Sequence, residues 1–87
     1  MEQRPPVEFG RKLYLLRTSL GHKQKHLAEA AGLAKNTLSM IENGHHSPKH
    51  ATLVCLAQAF GMADLGDFFA ALEEAAHRAR ATYPQPH

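Results

Sequence analysis

The sequence predicts an all-α domain on three observations. Apolar residues return at three- and four-residue steps along most of the chain, the spacing of one face of a helix. Aromatic residues are only 7% of the composition, and no β-branched run favours a strand. Gly21, Gly32, Gly44 and Gly61 punctuate the periodic segments where helices would stop. At 87 residues the chain is one small domain with room for a single modest core.

Residues 1–7, MEQRPPV, read as a flexible arm, because Pro5 and Pro6 do not suit a helix interior. The domain then covers residues 8–80. A first helix is predicted over residues 8–20, where Phe9, Leu13, Leu16 and Leu20 recur at steps of four, three and four. In the second helix Leu27 and Ala31 share a face at i and i+4, and the small Ala28 lets another helix cross close by. Gly32 can take the positive φ that ends this helix, and Leu33 plugs the turn. Leu38 and Ile41 form the buried side of a third helix, which leaves Lys35, Asn36, Ser39 and Met40 facing outward.

GHHSP follows as a polar loop, and Pro48 is predicted to open a fourth helix with Leu53, Leu56, Ala57 and Phe60 inward. Asp64 caps a fifth helix carrying Leu65, Phe68, Phe69 and Leu72 at i, i+3, i+4 and i+7. AAHRARA extends it, and residues 81–87 read as a disordered tail.

The segment QKHLAEAAGLAKNTLSMIEN, residues 24–43, orders Leu27, Ala28, Ala31, Gly32, Leu33, Leu38 and Ile41 as a DNA-reading helix-turn-helix requires. It resembles the lambda-repressor-like, Cro/cI-type (XRE-type) helix-turn-helix family of bacterial and phage regulators. The likeness extends over roughly residues 8–72, with LGDFF resembling the start of that family's fifth helix. The resemblance implies a five-helix lambda-repressor-like DNA-binding domain, with the helix-turn-helix as helices two and three. It implies a sequence-specific transcriptional regulator in the cytoplasm of a bacterium or encoded by a phage, a repressor that binds a palindromic operator as a homodimer.

The charge distribution fits a DNA-binding face. Residues 1–50 hold eight Lys/Arg against four Glu, a balance of +4, whereas residues 51–87 hold two Arg against four Asp/Glu, a balance of −2. A basic half carrying the motif can meet phosphates while the acidic half turns away. Ordinary surface charge is the competing explanation.

Base readout in this motif comes from the N-terminal part of the second motif helix, where side chains reach the major groove. By the resemblance Lys35, Asn36 and Met40 occupy base-contacting positions, with Ser39 beside them. Asn36 can offer a donor and an acceptor to adenine; Lys35 can donate to guanine or fall back on a phosphate. Met40 packs on a thymine methyl or fills a core or dimer contact. The resemblance assigns phosphate contacts to Gln24 and Asn43, with Lys23, Thr37, His45 and Lys49 around them. Arg17 and Glu42 match a pair that in many family members bridges helices one and three without touching DNA.

The chain departs from the family at the N-caps. Family members often place Ser or Thr before helices two, three and four, where this sequence has Lys23, Ala34 and Lys49. Each missing cap costs about 1 kcal/mol, and a lysine there also opposes the helix dipole. The expectation is a domain of marginal stability when free, stabilised when phosphates dock on those helix ends.

Seven histidines, five of them between positions 22 and 50, have no cysteine partners and lie dispersed, so they are read as surface groups and no metal is expected. Imidazoles near DNA would gain charge as pH falls, which strengthens binding. The single cysteine, Cys55, is expected to be a buried thiol. No cofactor, signal peptide or bilayer-spanning run is evident, and no effector domain or small-molecule site.

Double-stranded DNA is the expected partner. One domain this small covers a single half-site, so a homodimer is expected, through helix five by Phe68, Phe69, Leu72 and Ala76; the alternative is that both Phe side chains complete the monomer core. A competing reading is an antitoxin that binds both DNA and a partner protein. An enzyme is opposed by the lack of a nucleophile–base pair, of paired acids and of a phosphate-binding glycine loop.

Overall fold

The computed structural model describes residues 5–82, which form five helices. Helix α1 spans Pro5–Ser19, α2 Gln24–Ala31, α3 Lys35–Glu42, α4 His50–Ala59 and α5 Leu65–Thr82. Contacts close them into a cycle: α1 packs on α3, α3 on α2, α2 on α4, α4 on α5, and α5 back on α1. Leu13, Leu27, Leu38, Ile41, Leu56, Phe68 and Leu72 are the largest fully buried side chains, and every helix supplies at least one.

The elements follow the predicted order, with boundary corrections. Helix α1 starts at Pro5, inside the segment read as an arm. Proline suits a first turn, where its missing N–H has no intrahelical partner to lose. Residues 1–4 of the expected arm and 83–87 of the expected tail lie outside the described residues, while α5 reaches Thr82. Pro48 does not open α4; that helix begins two residues later, at His50, with Lys49 at its N-cap. Leu20, assigned to the inner face of α1, lies past its end and is 52% exposed. Cys55 is half-buried against the core rather than enclosed in it.

The turn between α2 and α3 fixes the motif. Gly32 adopts φ +72°, Leu33 N–H donates to Ala28 O at 2.8 Å, and Gly32 N–H donates to Glu29 O at 3.1 Å. This is the Schellman arrangement, which satisfies the last carbonyls of a helix and requires a left-handed residue. Leu33 packs against the core beneath the turn. Asp64 caps α5 through its carboxylate, which accepts from Gly66 N–H at 2.7 Å.

Phe68 is the hub where α1, α4 and α5 meet. Its ring lies 6.4 Å from Phe9 edge-on and 5.9 Å from Phe60 in a stacked pose. Phe68, Leu72 and Ala76 are each less than 5% exposed within the single chain. They therefore have no surface to offer a partner, which corrects the dimer role expected of them. Of that set only Phe69, 42% exposed, faces outward.

Candidate nucleic-acid interface

Helix α3 divides into two faces. Leu38, Ile41 and Glu42 are buried toward α1 and α2. Lys35, Asn36 and Met40 are exposed, and Ser39 and Thr37 are partly so. Asn36 and Met40 are four apart, as are Lys35 and Ser39, so these side chains form adjoining rows on the outer side. Lys35 and Asn36 occupy the first turn of α3, the part of a recognition helix whose side chains reach base edges in helix-turn-helix complexes.

What holds that helix is polar as well as apolar. Arg17 Nε donates to Glu42 Oε2 at 2.6 Å and Nη2 donates to Glu42 Oε1 at 3.1 Å, so the expected ion pair is present and bidentate. The two side chains are only 10% and 4% exposed. Arg17 Nη1 also donates to His22 O at 2.9 Å, tying α1 to the segment that leads into α2. Gln24 Nε2 donates to Glu42 Oε1 at 3.0 Å, which ties in α2 as well. One carboxylate thus locks three helices with every buried polar side-chain atom partnered among the described residues.

The other expected phosphate-binding residues lie on the segments that lead into and out of the motif helices. Lys23 and Lys49 are exposed N-caps of α2 and α4, and neither they nor Ala34 makes a side-chain cap hydrogen bond. Asn43 follows the last residue of α3, exposed, with Nδ2 donating to Ser39 O at 2.9 Å. His45 is exposed in the loop beyond, its backbone N–H bonded to Met40 O at 2.9 Å. Gln24 and Asn43 line one cleft, Lys23 precedes Gln24 in the chain, and His45 and Lys49 lie between α3 and α4. Among the described residues, no three His, Cys, Asp or Glu side chains are grouped to hold a metal ion.

Of helix α1, sequence reasoning named only Arg17 and missed Gly10, Arg11 and Tyr14. Gly10 is buried where α1 meets the end of α3; a Cβ there would run into the Ile41 carbonyl oxygen and lie 2.6 Å from that of Glu42. A glycine inside an otherwise periodic helix was the available signal. Arg11 and Tyr14, three residues apart on α1, also line a cleft of about 500 Å³ with Arg17, Gln24, Glu42 and Asn43.

The helix-turn-helix family pattern matches residues 13–68, from Leu13 of α1 to Phe68 of α5. The chain belongs to the XRE-type helix-turn-helix family. Among solved structures, this helix-turn-helix protein is similar to the restriction-modification controller protein C.AhdI from Aeromonas hydrophila. The two share 30% identity over 72% of this chain and 94% of that one, with a TM-score of 0.66. It also shares the fold of the clp gene regulator ClgR from Corynebacterium glutamicum, at 22% identity, over 95% of this chain and 100% of that one, with a TM-score of 0.68. Comparison with curated proteins finds no match. The lambda-repressor-like fold and the helix-turn-helix assignment of α2 and α3 stand, and the chain is a DNA-binding transcriptional regulator of this family. Families of this kind are generally not enzymes. No helix among the described residues is long and apolar enough to cross a membrane.

Proposed function

We propose that this protein is a sequence-specific repressor that reads a palindromic operator as a homodimer. Helix α3 lies in the major groove and Lys35, Asn36, Ser39 and Met40 read base edges, each good contact worth about 1–3 kcal/mol of discrimination. Lys23, Gln24, Thr37, Asn43, His45 and Lys49 set the register on phosphates. The observation that carries this reading is the outward row on α3, presented by a helix whose opposite face is fixed by Leu38, Ile41 and the bidentate Arg17–Glu42 pair.

Gln24 is the residue whose geometry bears most on this reading. With Nε2 engaged on Glu42, its remaining amide hydrogen is the one free to reach a phosphate. A dimer places two such helices about 34–36 Å apart, one turn of duplex, on a two-fold symmetric site. The exposed edge of α5 at Phe69 is the apolar surface of that helix left for the partner subunit. Repression then follows from occupancy of the promoter.

Selection of binding sites from random duplex DNA tests the reading, with the variant Lys35→Ala/Asn36→Ala alongside. An enriched palindrome that the variant no longer selects supports it. No enrichment at moderate salt sinks sequence-specific regulation and turns attention to protein partners.

A further inference from the structure

We propose that the cleft between α1, α2 and the end of α3 seats a backbone phosphate of the duplex, held by Arg11 and the Tyr14 hydroxyl. Helix α1 would then add a contact of its own to those of the helix-turn-helix; the inference rests on the DNA-binding reading above. The cleft brings Arg11 and Tyr14 to the same opening as Gln24 and Asn43, two proposed phosphate contacts from α2 and the end of α3.

Arg17 cannot fill this role. Its guanidinium is committed to Glu42 and to the His22 carbonyl, and the residue is only 8% exposed. Its charge and that of Glu42 cancel, so Arg11 leaves the cleft lining with a net charge of +1. Arg11 is exposed and takes part in none of the three ion pairs found among the described residues.

Tyr14 is 45% exposed, and its ring lies 5.4 Å from the Arg17 guanidinium carbon, a cation–π contact that orients it at the cleft. A guanidinium fork beside a hydroxyl donor matches the oxygens of a phosphodiester. Neither group sits on α3, so the contact adds affinity without adding sequence preference.

The test is an anisotropy titration of the full chain against its selected duplex and a scrambled one, between 50 and 200 mM salt. Each phosphate contact contributes about 0.9 to the slope of log affinity on log salt. Arg11→Ala is therefore expected to lower the slope by about 0.9, so across this range the wild type loses about 3.5-fold more affinity than the variant. Arg11→Ala and Tyr14→Phe each weaken both duplexes by one common factor; Arg11→Lys retains the slope, and Tyr14→Phe leaves it unchanged. Arg78→Ala, which removes an exposed α5 cation paired with Glu74, leaves slope and affinity as they were.

A wild-type slope in Arg11→Ala overturns the proposal, as does a loss confined to the selected duplex. An equal effect from Arg78→Ala overturns it too, because net charge alone would then account for the change. The Lys35→Ala/Asn36→Ala variant separates the two readings. If it still discriminates between duplexes, the assignment of base readout to α3 fails while the Arg11 slope decides the phosphate seat. A wild type that binds neither duplex at the lowest salt overturns both. Thermal melts of every variant establish that each is folded.

Discussion

Replacing Glu42 with alanine should cost this domain a large part of its stability. The Glu42 carboxylate accepts three hydrogen bonds: Arg17 Nε at 2.6 Å, Arg17 Nη2 at 3.1 Å and Gln24 Nε2 at 3.0 Å. Without it, the Arg17 guanidinium, in a side chain 10% exposed, keeps only the His22 carbonyl as acceptor. A buried charge stranded in this way costs about 3–5 kcal/mol, against about 0–1 for losing an exposed pair.

The cleft beside Arg17 admits water, which favours the lower end, about 3 kcal/mol. A chain of 87 residues holds only about 4–13 kcal/mol in total. At about 4–8 °C per kcal/mol for a domain of this size, the melting temperature should fall by about 12–24 °C. Urea and thermal denaturation followed by far-UV circular dichroism measure the loss, and an unchanged m-value keeps the two-state comparison valid. The double variant Arg17→Met/Glu42→Leu should recover most of it, since apolar side chains tolerate the site and no charge is stranded. A loss below about 1 kcal/mol, or a double variant no better than the single one, would refute the claim that this pair behaves as a buried one.

Three further outcomes are expected. Gly10→Ala should destabilise by about 1–3 kcal/mol, because backbone oxygens of Ile41 and Glu42 block the new methyl. That is despite alanine's advantage of about 1 kcal/mol in helix propensity; a raised melting temperature would mean that α1 and α3 are not in such close approach. Lys23→Ser should stabilise the free protein by about 1 kcal/mol, since Lys23 already has the extended N-cap backbone of φ −80°, ψ 149° and no cap bond. The same change should weaken DNA binding and lower its salt slope by about 0.9, and unchanged affinity would remove Lys23 from the interface. Phe68→Ala should cost about 3–5 kcal/mol, whereas Phe69→Ala should stay within about 1 kcal/mol in the monomer. Sedimentation of Phe69→Ala then reports whether that edge of α5 joins two subunits.

The sequence by itself determined the helices, the turn and the outward row of α3. These rest on local physics: apolar spacing selects a helical face, Gly32 permits the one left-handed residue the turn requires, and Leu38 and Ile41 leave Lys35, Asn36 and Met40 no direction but outward. The Arg17–Glu42 pair could be named in advance only because it matched a family pattern, since nothing local links positions 25 residues apart in sequence.

Tertiary structure alone decided which apolar face was core and which was free. Leu65, Phe68, Phe69 and Leu72 read alike along the chain, yet Phe68 is fully buried against Phe9 and Phe60 while Phe69 is left outside. Whether an apolar side chain is covered depends on helices that arrive from elsewhere in the sequence, and periodicity records only that a face exists. The close passage at Gly10 and the meeting of Arg11, Tyr14, Gln24 and Asn43 at one cleft are decided the same way. They are distances between helices, set by how five faces pack together, and no single segment contains them.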